Sequence, residues 1–412
     1  MRAPHVLARL RAALGPDAAS AWQGMAALLV SSGGDLLAGL TLGAITHTLH
    51  TLPGLLVLVP AAIGMRGNIF GALGSRLGTS IHTGTFRLSR RPDTVVGQNI
   101  LASLALTLSV SLALAILAKA VAVGFGLQHT ISVADFVVIS MVGGALSSVV
   151  VLLITLAVAA GSVRFGWDMD NVAAPLVTAA GDIVTLPSLF LATYLVRIDW
   201  VTPTVAVLTG AAAVAALVAA WRKGHGHDLL RRIVRESLPV LLLAGTIDVV
   251  AGLTIEKRLD SFLAFPALLV LIPPFLEDSG ALGGILSSRL SSKLHLGVID
   301  PDPVPQRRAR ADFLLVFLFA IPVFVLVALS ADLAAVISGL ASPGPLRMVA
   351  VSLIGGLIAT VFTILVSYYG AIATFRLGLD PDNHGIPLVT SSMDLLGAFA
   401  LVLAIVVVGI AP

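Results

Sequence analysis

The 412-residue chain contains no cysteine, so disulfides, thiolate metal sites and cysteine nucleophiles are all excluded. Charge is scarce too: Asp, Glu, Lys and Arg make up 11% of residues, against roughly 25% in an ordinary soluble protein. The net charge of +3 is small, and the basic residues fall in short loops, so a nucleic-acid partner is not implied. No stretch reads G-x4-G-K-[ST], which excludes an ATP-driven pump with that phosphate loop. Tyrosine and tryptophan number three and four, too few to line an organic-solute pocket at depth. No nucleophile–base pair or histidine-rich metal motif lies inside an apolar run, as an intramembrane enzyme would require. His47, His50, His82 and His295 fall at run edges instead.

Apolar sequence, by contrast, is plentiful. Hydrophobic residues form 57% of the chain and mean hydropathy is +1.02. Many apolar runs exceed the ~18 residues needed to cross a bilayer. The expectation is an all-α polytopic membrane protein of about eleven spans, near 23–46, 54–81, 98–124, 133–160, 173–196, 203–221, 237–256, 263–292, 312–330, 346–368 and 385–410.

The chain also repeats itself. Asp168-x-Asp170-Asn171-x3-Pro175-Leu-Val-Thr178-x3-Asp182 recurs 212 positions later as Asp380-x-Asp382-Asn383-x3-Pro387-Leu-Val-Thr390-x3-Asp394. Asp35-Leu-Leu-Ala-Gly39-Leu-Thr41 matches Asp248-Val-Val-Ala-Gly252-Leu-Thr254, and Pro60 to Gly84 aligns without gaps on Pro273 to Gly297. Five spans therefore recur, with the run 203–221 left over. The expected organisation is a tail over 1–22, a five-helix domain over 23–200, a linking helix over 201–222 and a second five-helix domain over 223–412. An odd linking span makes the two repeats parallel.

Arginine placement sets the expected orientation. With the N-terminus inside, cytosolic segments carry Arg2, Arg9, Arg11, Arg87, Arg90, Arg91, Arg164, Arg222, Lys223, Arg231, Arg232, Arg235, Arg307, Arg308, Arg310 and Arg376. The outside loops carry Arg197, Lys257 and Arg258. This predicts a multi-pass protein of the cell (inner or plasma) membrane with a cytosolic N-terminal tail and an external C-terminus.

A charge near the bilayer centre costs several kcal/mol, so each one needs a reason. The set at that depth is Asp35, Asn68, Asp182, Asp248, Glu277, Asp278 and Asp394, with no Lys or Arg placed alongside. Either several carboxyls are protonated or a bound cation supplies the missing charge. Asp182 and Asp394 are expected about three turns into helices capped by Asn171 and Asn383, with Thr178 and Thr390 at i−4 on the same face. Pro175 and Pro387, placed beyond the first turn, would loosen a backbone hydrogen bond there. Glu277 and Asp278 stand where the first repeat has Gly64 and Met65, so the two halves of the site differ. Asp168, Asp170, Asp380 and Asp382 lie at loop ends, as helix caps or an ion-recruiting vestibule. Arg76 and Arg289 are expected as cytosolic-end anchors or gate partners. The glycines Gly64, Gly67, Gly71, Gly74, Gly280, Gly283 and Gly284 are expected to serve close helix packing.

Five-span units, the segment Met65-Arg-Gly67-Asn68, Ser75-Arg76-Leu77 and the fifth-span Pro-Leu-Val-Thr-x3-Asp together resemble the MgtE family of magnesium transporters. The duplication within one chain resembles its two-domain solute-carrier branch, without cytosolic sensor domains. The resemblance implies five-helix units paired around an axial ion path, with Asp182 and Asp394 as ligands of hydrated Mg²⁺. It implies a transported ion and no cofactor or enzyme activity. Its departure, Ala281 in place of Asn68 with Glu277 and Asp278 added, bears on selectivity.

From the residues themselves, the oxygen donors of Asp182, Asp394, Asp35, Asp248, Asn68, Glu277, Asp278, Thr178 and Thr390 suit a hard divalent cation. Mg²⁺ fits this set, with Mn²⁺ and Co²⁺ open as well and Ca²⁺ less suited. The alternative is a Na⁺- or H⁺-coupled carrier of another solute, in which these acids hold the coupling ion. Two fused halves would complete the path as a pseudo-dimeric monomer in the lipid bilayer.

Overall fold

The computed structural model describes residues 18–410 except 90, 128, 166–168, 222–227 and 379–384, with side chains at 18–30 and 169–175 not described. The described residues are helical, without strands. The first half comprises α1 (Ala18–Ala44), a short α2 (Thr46–Thr51), α3 (Leu55–His82), α4 (Val95–Gly124), α5 (Val133–Phe165) and α6 (Met169–Ala192). After α7 (Val201–Trp221), the second half repeats the order as α8 (Asp228–Glu256), α9 (Leu259–Ala264), α10 (Ala267–His295), α11 (Arg307–Ile337), α12 (Pro345–Leu377) and α13 (Ile386–Val408). Ten of these helices, α3 to α8 and α10 to α13, are long and apolar enough to cross a bilayer. At 27 residues, α1 rises about 40 Å and is also long enough to span. The chain is thus an all-α polytopic membrane protein.

Helix ends extend past the apolar runs because charge ends a run without ending a helix. α8 continues back to Asp228 through Arg231, Arg232 and Arg235, where an i,i+4 pair between Arg232 and Glu236 (2.9 Å) supports an exposed turn. α7 lies against α4 and α5 at the rim, with most of its surface outward.

The first helix of each half is exchanged. α1 packs on α10 and α11 of the second half, and α8 packs on α3 and α4 of the first. Each also meets the last helix of its own half, α1 against α6 and α8 against α13. Glycine makes the crossings possible. A Cβ on Gly39 would run into the backbone carbonyl of Val270, and one on Gly252 would sit 2.6 Å from the carbonyl oxygens of Leu56 and Val57. Without a hydrophobic drive between helices in lipid, such backbone-to-backbone approach is what holds them together.

Glu256, the last residue of α8, adds a latch across the halves. Its carboxylate accepts from the backbone N–H of Gly54 (2.6 Å) and Leu56 (3.1 Å), the open N-terminus of α3. Charged acceptors suit a helix N-terminus. The equivalent position in α1 is Gly43, so one side alone carries the latch. Glu256→Gln, which keeps the shape but gives up one acceptor and the charge, is expected to cost about 2 kcal/mol. A lowered thermal midpoint in detergent would register this; an unchanged midpoint would mean that the crossing glycines suffice.

Candidate functional site

Each half brings its first and last long helices together through a pair of aspartates. Asp35 of α1 meets Asp182 of α6 carboxyl to carboxyl, and Asp248 of α8 meets Asp394 of α13 in the same way. Asp35, Asp182 and Asp248 are almost fully buried, while Asp394 is half-buried. Neither oxygen of Asp35 or Asp248, nor Oδ2 of Asp182, receives a hydrogen bond in normal geometry. A carboxylate normally accepts several, and an unsatisfied buried one is costly.

The second helices of the halves then make the two pairs unequal. On α3, Gly64 comes up against the second pair: a Cβ there would lie 2.8 Å from Oδ2 of Asp248 and 3.8 Å from Oδ2 of Asp394. The matching position on α10 is Glu277, whose carboxyl acts on Asp35 and Asp182 and also on Asp394. Asp278 stands beside it, fully buried and held by the Ser32 hydroxyl, which donates at 2.9 and 3.0 Å to its two oxygens. Glu277 therefore lies within electrostatic reach of Asp35 and Asp182 and of Asp394.

The expected site residues do not all fall within this cluster. Thr178 and Thr390 are half-exposed and face the glycines of the neighbouring second helices: the Cγ2 of Thr178 lies 4.0 Å from a Cβ built on Gly67, and the Cβ of Thr390 lies 3.7 Å from one on Gly280. Asn68 is half-exposed one turn beyond Gly64. Gly71, one turn further, faces open space. The run of half-exposed positions Glu277, Asp394, Asn68, Thr178 and Thr390 leads from the carboxylates toward the arginine-rich end of the bundle. The glycines divide accordingly: Gly283 packs on Val389 and Met393, whereas Gly71 leaves room.

Several sequence expectations are corrected. α6 begins at Met169, so Asn171 lies inside the helix and is not its N-cap. Pro387 is in the first turn of α13 and costs no backbone hydrogen bond. Asn383, Asp168, Asp380 and Asp382 lie outside the described residues, as does the side chain of Asp170. An arginine does reach the depth of the acids. Arg66 is fully buried on α3, its Cβ 3.6 Å from where one on Gly181 would be, yet its guanidinium turns away to Ser147 (3.0 Å) and the carbonyl of Ala62 (2.9 Å). The signal was available, since Arg66 is the one charged residue between Leu55 and Ser75. Ser32 and Glu256 carried no such mark. Arg76 and Arg289 bind one partner position in each half, Asn99 (2.7 Å) and Asp312 (3.0 Å). Among the described residues no cluster of three or more His, Cys, Asp and Glu has the geometry of a tight metal site.

Two pairs of largely buried carboxyls thus lie within a bundle of helices long and apolar enough to cross a membrane. The chain matches the MgtE family, described as a divalent cation transporter, over residues 59–192 and 272–404, and it belongs to that family. The two matches span α3 to α6 and most of α10 to α13. Solute carrier family 41 member 3 of Rattus norvegicus is 26% identical over 406 residues, covering 91% of this chain and 84% of that one. Member 2 of Xenopus laevis is 27% identical over 430 residues (94% and 71%), and member 2 of Homo sapiens is 26% identical over 413 residues (91% and 68%). No solved structure matches the chain.

Proposed function

We propose that the protein carries Mg²⁺ across the cell membrane along the interface of its two halves, with its arginine-rich end in the cytosol. On this reading residues 23–200 and 223–412 are two transmembrane domains, linked by the helix over 201–222, and one chain completes the path. The observation that carries the reading is the meeting of Asp35 with Asp182 and of Asp248 with Asp394, with Glu277 in electrostatic reach of both pairs and carboxylate oxygens left unpartnered. Carboxyls pressed together without a counter-ion repel, and a divalent cation relieves both pairs at once. The donors are all oxygen and do not form a closed cage. Mg²⁺, which dehydrates reluctantly and keeps several waters, suits such a site. Asn68, Thr178 and Thr390 would meet those waters on the way to the arginine-rich end, and Asp278 would hold its place through Ser32.

The test is Mg²⁺ influx into proteoliposomes that enclose a Mg²⁺-sensitive dye, with and without a Na⁺ gradient. Wild type should pass Mg²⁺, and Asp182→Asn with Asp394→Asn should reduce the flux to that of empty vesicles. Flux indifferent to the double substitution would overturn the site. No Mg²⁺ flux, but carriage of another solute driven by Na⁺ or H⁺, would transfer these acids to a coupling ion.

A further inference from the structure

The halves differ most outside the carboxylate cluster, along the face of α4 that meets α3 and α5. Two pairs of hydrogen bonds fix the equivalence. Arg76 with Asn99 matches Arg289 with Asp312, and the Ser140 hydroxyl on the carbonyl of Ser111 (2.8 Å) matches the Ser352 hydroxyl on the carbonyl of Phe324 (2.8 Å). The α4 series Asn99, Ser103, Thr107, Ser111 therefore corresponds to Asp312, Val316, Ala320, Phe324 in α11. In the second half this face is sealed. Val316, Ala320 and Phe324 are fully buried, and the Phe324 ring covers Gly356 and stacks on Phe275 at 5.0 Å. Its arginine has an acidic partner, since Asp312 accepts from Arg289 (2.9 Å) and from Lys293 (2.6 Å).

In the first half the same face is hydroxyl-lined and cationic. Arg66 replaces Ser279, and its Nη2 has no partner; the same holds for Nη2 of Arg76 and for the hydroxyls of Ser103 and Ser111. Thr107 is engaged by Ser148 at 3.2 Å. The Arg66 Nη2 and the Ser111 hydroxyl converge on Gly144, lying 2.5 and 2.7 Å from where its Cβ would be, without bonding each other. Among the described residues no carboxylate acts on Arg66. The one acting on Arg76 is Glu236, which is exposed and already engaged by Arg232.

We propose that the first half binds a small monovalent anion of chloride size between the Arg66 guanidinium and the Ser111 hydroxyl, reached from the arginine-rich end past Arg76, Ser103 and Thr107. A buried guanidinium with no acidic partner lacks one negative charge. Two unsatisfied donors converging at the same glycine supply the hydrogen bonds that a halide accepts. Water could satisfy the donors but not the charge. Because Arg66 springs from the α3 face beside Gly181, an anion on its far side also screens its charge from Asp182. Halide occupancy thereby favours a cation at the carboxylates. The site itself stands without the transport reading.

The test compares the purified full chain in sodium chloride and in sodium gluconate, and locates bromide by anomalous diffraction from crystals grown in sodium bromide. The thermal midpoint should rise by several degrees in chloride, with a bromide peak in contact with Arg66 Nη2 and Ser111 Oγ. Arg66→Ser with Ser111→Phe, which writes the second half's own residues into the first, should remain monodisperse and lose the chloride shift. Equal midpoints in the two salts together with no bromide peak would overturn the proposal, as would a chloride shift that survives in the double variant. If that variant fails to fold, the wild-type bromide peak decides.

Discussion

Glu277→Gln is expected to weaken divalent cation affinity roughly a hundredfold while leaving the protein folded. The size follows from charge and distance. A carboxylate about 5 Å from a doubly charged ion interacts by about 7 kcal/mol at an effective dielectric of 20, and losing half of that to screening still leaves about 3 kcal/mol. Folding should survive because removing one of several crowded acids relieves repulsion, and the first half shows the alternative: its equivalent residue is Gly64. The substitution would leave Asp278 as the one acid of α10, still acting on Asp35. The check is the Mg²⁺ concentration at half-maximal thermal stabilisation or half-maximal flux. A midpoint unchanged within threefold would show that Glu277 lies off the ion's route and that the asymmetry of the halves has another purpose.

The second large effect is structural. Gly39→Ala and Gly252→Ala are each expected to cost about 2–3 kcal/mol, because the new methyl meets backbone carbonyls that no rotamer change can move. Combined, they should release the exchanged helices, giving aggregated material on size-exclusion chromatography. The two sites sit at separate crossings, so their costs should add. Gly71→Ala serves as the control, since open space surrounds that position, and it should behave as wild type. A double variant as stable as wild type would mean that the crossings tolerate greater separation than the structure shows.

Much of this architecture was legible in the sequence because duplication writes it twice. The recurring Asp35-to-Thr41 and Pro60-to-Gly84 blocks align helices whose C-terminal ends the structure places 212 and 213 residues apart, and the leftover run 203–221 appears as α7. The exchange of α1 and α8 was not legible. A repeat looks the same whether its first helix packs on its own half or on the other, and only the fit of Gly39 to Val270 and of Gly252 to Leu56 and Val57 distinguishes the two. The short helices α2 and α9, six residues each, leave no periodicity to read. Among the acids, the sequence marked Asp35 and Asp182 separately, because residues 147 positions apart carry no sign that they meet. Arg66 escaped for a different reason. Counting arginines by loop assigns no place to one inside a span, and its match to Ser279 shows only that the halves differ, not that it points away from the carboxylates. The Asn171 cap failed because Asn is common both at caps and within a first helical turn, and the chain enters α6 two residues earlier.

On the proposed function, a hydrated divalent cation rests between the two aspartate pairs, near Glu277. The most direct measurement is anomalous diffraction from crystals of the full chain soaked in Mn²⁺, a stand-in of the same charge and ligand preference as Mg²⁺. With water in the inner shell, the metal should lie about 4–5 Å from carboxylate carbons or oxygens. One strong peak is expected at that range from Asp182, Asp394 and Glu277, displaced by excess Mg²⁺. A Mn²⁺ peak elsewhere in the bundle, with these carboxyls still touching one another and no metal between them, would contradict it.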